Sequence, residues 1–210
     1  MNNNYIITIG REYGSGGHEI GEKLAKALDI KCYDKEIIDI AIKEKRIDPE
    51  EIEKADEKKC NPILHPGGHF MNGWSGKDIP AFGNFGGNKN DKIFRIESQI
   101  IYELAEKEPC VIVGRCADSL LRDHENVMRV FIQAPKDVRT ERIAQKYDIT
   151  KERAKKEVDR VDKIRNAYYR YYTDDKWGGR NSKDFVINSE FLGIDGSVDF
   201  LKSAVEQRFK

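Results

Sequence analysis

Residues 6–28 read IITIGREYGSGGHEIGEKLAKAL, and no other stretch constrains the fold as tightly. A short β-branched run, residues 5–9, reads as a buried strand. Four glycines then fall within eight residues, at 10, 14, 16 and 17. From Gly17 onward Ile20, Leu24, Ala27 and Leu28 share one face of a helix. Strand, glycine turn and helix in that order place a loop at the carboxyl end of a strand, where open α/β sheets bind ligands. Gly14, Gly16 and Gly17 let backbone N–H groups approach an anion, and the helix start favours negative charge. A glycine turn that merely packs a helix on a strand is the plainer alternative.

Two nucleotide readings of the loop compete. A dinucleotide fingerprint, G-x-G-x-x-G, requires glycine at position 19, where Glu19 stands. Asp34, near the end of the next strand, does suit a ribose contact. The phosphate-loop pattern G-x-x-x-x-G-K-[ST] requires lysine and a hydroxyl where Gly17 and His18 stand. The spacing between strand and helix suits a phosphate cradle better than a tight dinucleotide turn.

The remaining chain alternates strands and helices. Residues 31–33 read as a second strand. Asp34 then caps a helix bearing Ile37, Ile38, Ala41 and Ile42, and Asp48-Pro49 opens another over 49–58. Helix returns over 91–107. CVIVG (110–114) suits a central parallel strand, and residues 127–134 a further one. Pro135 opens a helix through 145, and Thr150 caps a long charged helix to about 172. A last strand, 184–189, precedes a last helix, 195–209. The alternation predicts an α/β sandwich with a mostly parallel sheet. Residues 60–90 break the pattern. They are dense in Gly, Asn and Pro and read as a long loop, an insert that closes over a ligand or buries its aromatics against a second copy in a homo-oligomer.

Composition narrows the function classes. Lys+Arg and Asp+Glu balance at 37 each, which argues against broad nucleic-acid binding. No apolar run approaches the roughly 20 residues that span a membrane, and the first residues do not read as a signal peptide. The four cysteines lack paired metal spacing and read as reduced thiols of a cytoplasmic protein. His65 and His69 are separated by Pro and Gly, which rules out a helical pair of metal ligands, so no metal site is assigned.

GREYGSGG, CYDKEII, VIVGRCAD, RVFIQAPKDVRTERI, VDRVDKIRNAYYRYY and DFVINSEFLGIDGSVDFL together resemble the cytidylate-kinase-like branch of the P-loop nucleoside monophosphate kinases. The resemblance covers nearly the whole chain. It implies a three-layer α/β sandwich on a P-loop NTPase-type parallel sheet of five strands. One domain over 1–210, with a lid-like helical region over 136–176, follows. So do a nucleotide donor, ATP, with Mg2+, and a small acceptor, CMP or dCMP first. Gly14, Ser15, Gly16, Gly17 and His18 match the donor-phosphate loop. Arg115 matches the arginine that faces the acceptor phosphate. Asp34 and Lys35 match the acceptor-side helix, with Asp34 as a simple helix cap equally open. Asp159, Asp162 and Arg165 match part of the lid pattern, in which Val158 stands where an arginine is expected. Arg139 and Arg142 suit the lid side of the donor.

The departure at Gly17 removes an ammonium from the donor phosphates. Arg11 is the expected substitute, because a guanidinium grips phosphate oxygens in pairs; an ion pair with Glu12 or Glu19 is its plainer role. Arg115 has a plainer role too, pairing with Asp118 or Asp123. Phosphoryl transfer, nucleotide binding without turnover, and dinucleotide chemistry remain the three function classes.

Overall fold

The computed structural model describes residues 4–34, 37, 40, 43–44, 89–173 and 175–209. Lys35, the helix expected over 49–58 and nearly all of the 60–90 insert lie outside the described residues.

Five strands form one sheet: β1 (Ile6–Arg11), β2 (Lys31–Tyr33), β3 (Cys110–Val113), β4 (Val127–Gln133) and β5 (Phe185–Asn188). Their order is β2-β3-β1-β4-β5, and every pairing is parallel. The helices whose bounds the described residues give are α1 (Gly17–Leu28), α2 (Lys89–Lys107), α3 (Ala117–Leu120), α4 (Lys136–Tyr147), α5 (Lys151–Tyr172) and α6 (Ser189–Phe209). This is the α/β sandwich that the alternation predicts.

Successive side chains of a strand point to opposite faces, and the core divides accordingly. On one face Ile6, Cys110 and Ile112 pack with Ile100, Ile101 and Leu104 of α2 and with Tyr169 and Tyr172 of α5. On the other, Ile7, Ile9, Val111, Val113 and Val130 pack with Ile20 and Leu24 of α1 and with Leu201 and Val205 of α6. A strand covered on both faces must be apolar throughout, and all four residues of β3 are buried. Each such aliphatic side chain contributes about 1.5–3 kcal/mol on burial. Ile37, on the helix expected after Asp34, is fully buried in the first cluster.

Local signals place most element ends. Thr150 caps α5, its side chain accepting from the Arg153 N–H. Asp29 closes α1 in the left-handed conformation, its N–H returned to the last helical carbonyls. Some ends differ from expectation, and two short elements were not expected. β1 runs on to Arg11 because its register with β4 continues through Arg11 and Ile132. β3 stops at Val113, where Gly114 turns left-handed (φ 78°). The last helix begins at Ser189 and breaks at Gly193 (φ 70°, ψ 174°). The four-residue α3 and the 3-10 turn Arg180–Ser182 are too short to leave a period in the sequence.

The tyrosines near the end of α5 serve packing. Tyr172 stacks on Phe94 at 3.9 Å and donates to Asp91 at 3.1 Å. Tyr169 donates to Asp118 at 2.9 Å. Asp118 also takes the buried Lys183 ammonium at 2.7 Å, pinning the segment before β5 to α3.

Candidate active site

The loop between β1 and α1 lies at the carboxyl end of the central strand. Gly14 and Gly16 hold φ of 79° and 81°, a region that other residues enter only with strain. A Cβ on Gly14 would stand 2.8 Å from the Arg139 carbonyl oxygen of α4. Ser15 is fully buried, and its hydroxyl donates to the Glu12 carbonyl at 2.8 Å. Its amide turns onto the same carbonyl at 3.3 Å, so Ser15 braces the loop. The first turn of a helix has N–H groups without intrahelical acceptors. Among the described residues no hydrogen bond engages the N–H groups of Gly17, His18 or Glu19, and Gly16 caps the helix without a side chain. That end of α1 presents donors to an anion.

Arg11 crosses this end. A Cβ on Gly17 would lie 2.5 Å from the Arg11 Cβ and 3.2 Å from its Cγ. A Cβ on Gly114 would collide with Arg11 Nη1. The side chain therefore runs over Gly17 and ends in the notch that Gly114 leaves after β3. There Nη2 stands 3.6 Å from Asp34 Oδ1, after β2. The buried Nε has no hydrogen-bond partner. Burial, and then the nearby charge of Arg165, lower the guanidinium pKa to about 10; Asp34 opposes that shift and Arg115 adds to it. Neither acid expected to pair with Arg11 does so. Glu12 accepts from the Ala134 N–H and meets Arg139, while Glu19 meets Lys23.

Two more arginines reach the same hollow. Arg165 of α5 donates to the Arg11 carbonyl at 3.2 Å and lies 5.4 Å from the Tyr13 ring centre. Burial lowers its pKa as well. Arg115 follows β3 in a run of three left-handed residues: Gly114 at 78°, Arg115 at 56° and Cys116 at 55°. Such backbone costs on the order of 1–3 kcal/mol for each non-glycine residue. Its guanidinium donates to Glu97 of α2 at 2.7 Å, and Glu97 also accepts from the Tyr168 hydroxyl at 3.3 Å. Asp118, one expected partner of Arg115, is instead taken by Lys183 and Tyr169. His18 stands between Asp34 (3.0 Å) and Glu22 (3.3 Å).

Arg139 and Arg142 are spent on the loop itself. Arg139 donates to the carbonyls of Ala134 (2.9 Å) and Tyr13 (3.0 Å) and to Asp162 (2.6 Å). Asp162 in turn accepts from the Tyr13 N–H at 2.8 Å. Arg142 donates to the Ser15 carbonyl and to Ser189 Oγ, each at 3.1 Å. Ile143, Ala144, Ala154 and Val158 form a small core beneath this contact, with Tyr13 packed against it. The resemblance puts Arg139 and Arg142 on the donor side and Asp162 in the lid pattern; in the structure Arg139 and Asp162 pair with each other and with Tyr13, and Arg142 with Ser15 and Ser189.

Sequence reading passed over Glu97, Gly114, Tyr13 and Ser189. Glu97 had a readable signal, a carboxylate four residues after Ile93 on the apolar stripe of α2. The others are chosen by contacts distant in sequence. Among the described residues no three His, Cys, Asp or Glu side chains are placed to hold a metal, and no helix is long and apolar enough to cross a membrane.

A five-stranded parallel sheet in this order, with a glycine-rich loop from its central strand and arginines gathered over it, defines a kinase-type phosphotransferase fold. The chain belongs to the cytidylate kinase-like family, whose model matches residues 6–190. It is 29% identical over 107 residues to a cytidylate kinase of Halorubrum lacusprofundi, across 50% of this chain and 55% of that one. The match thus spans about half the length of that curated relative. An uncharacterized protein from Eubacterium ventriosum superposes with a TM-score of 0.70 at 26% identity, covering 98% of this chain and 100% of that one. A shikimate kinase from Bacteroides thetaiotaomicron shares the fold, with a TM-score of 0.51 at 15% identity over 96% and 98% of the two chains.

Proposed function

We propose that this protein transfers the γ-phosphoryl group of ATP to a nucleoside monophosphate, with CMP and dCMP the first acceptors to test. The observation that carries the reading is the hollow between β1, β2 and β3. There Arg11 crosses the helix end whose first-turn amides are unengaged, its Nε is buried without a partner, and the charges of Arg165 and Arg115 act on it. An acceptor phosphate oxygen forms a bond to the γ-phosphorus as the bond to the β–γ bridging oxygen breaks. ADP leaves with that electron pair. An acceptor phosphate already ionised at neutral pH needs no base to remove a proton. The work left to the protein is positioning and charge neutralisation.

Gly14, Gly16, Gly17 and His18 offer backbone donors to the donor phosphates, and Arg11 neutralises them. Arg115, aimed by Glu97, takes the acceptor phosphate. Arg165 reaches in from α5, the lid side of residues 136–176. Arg139, Arg142, Asp162 and Ser15 keep the loop in shape. Asp34 meets the acceptor or, through His18 and Arg11, holds the hollow open. Magnesium in such sites keeps several waters and takes one or two carboxylates besides the phosphates. Asp34, flanked by Arg11 and His18, and Glu12 of the loop are the described carboxylates that would hold such an ion through water.

A nucleotide sensor without turnover is the second reading, favoured by glycine at the lysine position. Both are tested by ADP formation from ATP and magnesium with CMP, dCMP, UMP or AMP, alongside melting shifts with each nucleotide, NAD and NADP. Turnover with a pyrimidine monophosphate supports the first reading. An ATP-dependent shift with no ADP above background selects the sensor. A shift with NAD or NADP and none with ATP rejects both.

A further inference from the structure

The residues of the loop can be laid on the phosphate-loop pattern position by position. Where that pattern has its first glycine this chain has Arg11, and where it has lysine this chain has Gly17. The structure gives the two changes one cause. The stem of Arg11 fills the space above Gly17, so that any side chain there would meet its Cβ and Cγ at 2.5 and 3.2 Å. Its head fills the space beside Gly114, so that a side chain there would strike Nη1.

We propose that the phosphate-binding cation of this loop has been exchanged across it, from the seventh position to the first, and that Gly17 and Gly114 are the steric counterpart of that exchange. The inference rests on the reading of the site as one for a nucleoside triphosphate. It adds that the cation is planar, enters from β1, and is seated by glycines of two separate segments. A guanidinium grips two phosphate oxygens at once, where an ammonium acts as a point charge. Two features agree with this role. Nε is buried with no acceptor, and Asp34, the carboxylate paired with the head, stands 3.6 Å away, beyond good hydrogen-bond length. A bound phosphate supplies an acceptor to the part of the guanidinium that stays accessible, the side chain being 18% exposed.

The experiment uses the full chain and ATP with magnesium, read by calorimetric affinity, with thermal melts and circular dichroism to establish folding. Four variants are compared with the unaltered protein: Arg11→Met, Arg11→Gly, Gly17→Lys and the double variant Arg11→Gly/Gly17→Lys. Arg11→Met keeps an unbranched stem over Gly17 and removes only the charge. It is expected to bind ATP on the order of 100-fold more weakly, the upper end for loss of one hydrogen bond between charged groups. Gly17→Lys, forced against the Arg11 stem, is expected to weaken binding as well. The double variant rebuilds the ordinary loop and is expected to regain at least ten-fold over Arg11→Gly. ATP affinity unchanged in a folded Arg11→Met overturns the exchange, as does a folded double variant no better than Arg11→Gly. Failure of the unaltered protein to bind ATP, with the other nucleoside triphosphates also inert, overturns the functional reading itself and the exchange with it.

Discussion

Arg11 and Arg139 lie against the same loop, yet their surroundings are opposite. Arg139 has a carbonyl or carboxylate for each donor that the structure engages, from Ala134, Tyr13, Asp162 and Glu12. Arg11 has one carboxylate at 3.6 Å and a buried Nε with nothing to donate to. Two further positive charges, Arg165 and Arg115, press on it. A buried charge without full partners is costly, whereas one with full partners is costly to break. The same residue type therefore fixes the loop at Arg139 and, at Arg11, leaves a deficit, which in the proposed reading a phosphate fills.

The largest effect that tests this contrast is on stability. Arg139→Met strands Asp162 and Glu12 and is expected to cost about 3–5 kcal/mol, as breaking a buried pair does; urea unfolding measures it. Arg11→Met, by the same method, should leave stability nearly unchanged or raise it, while kcat falls by about 100- to 1000-fold. A reversal of these two outcomes would dissolve the contrast. Glu97→Gln leaves Arg115 in place but frees its aim. KM for the acceptor should rise roughly ten-fold, on the order of one charge-assisted hydrogen bond, with the ATP affinity unmoved.

The smallest effect is a flat one. A base with its pKa lowered to about 10 keeps nearly all of its charge until pH comes within about one unit of that value. ATP affinity should therefore be level between about pH 7.5 and 9, a range that an unperturbed histidine has already left and an arginine has not entered. Loss of affinity within that range would mean that another group supplies the charge. The sign for stability follows too. Burial makes the folded state hold this proton more weakly than the unfolded state does. Any contribution of Arg11 to pH dependence thus raises stability as pH climbs above about 10.

Legibility followed the range of the interaction. The strand–glycine–helix junction, the apolar run of β3 and the Thr150 cap are local, and each appears in the structure within a residue or two of where the chain implies it. Arg115 at a strand's carboxyl end was legible for the same reason. The last helix after the break at Gly193 was legible too, but the short helical turn before it was not, because Ser189 is held by Ser15, 174 residues away, through a 2.5 Å hydrogen bond. The division of the arginines into those that reach the hollow and those that brace the loop was also hidden. On a charged helix every arginine looks alike until its partner is known.

The sequence by itself determined the alternation of strands and helices, the parallel sheet, the place of the loop and the family. Backbone preference and side-chain period act over a few residues and need no distant partner. Only the tertiary structure decided where the Arg11 side chain runs. Its course depends on two glycines 97 residues apart in the chain, Gly17 and Gly114, meeting the same side chain. No local period carries that information, because the empty space an arginine fills is made by the packing of three strands.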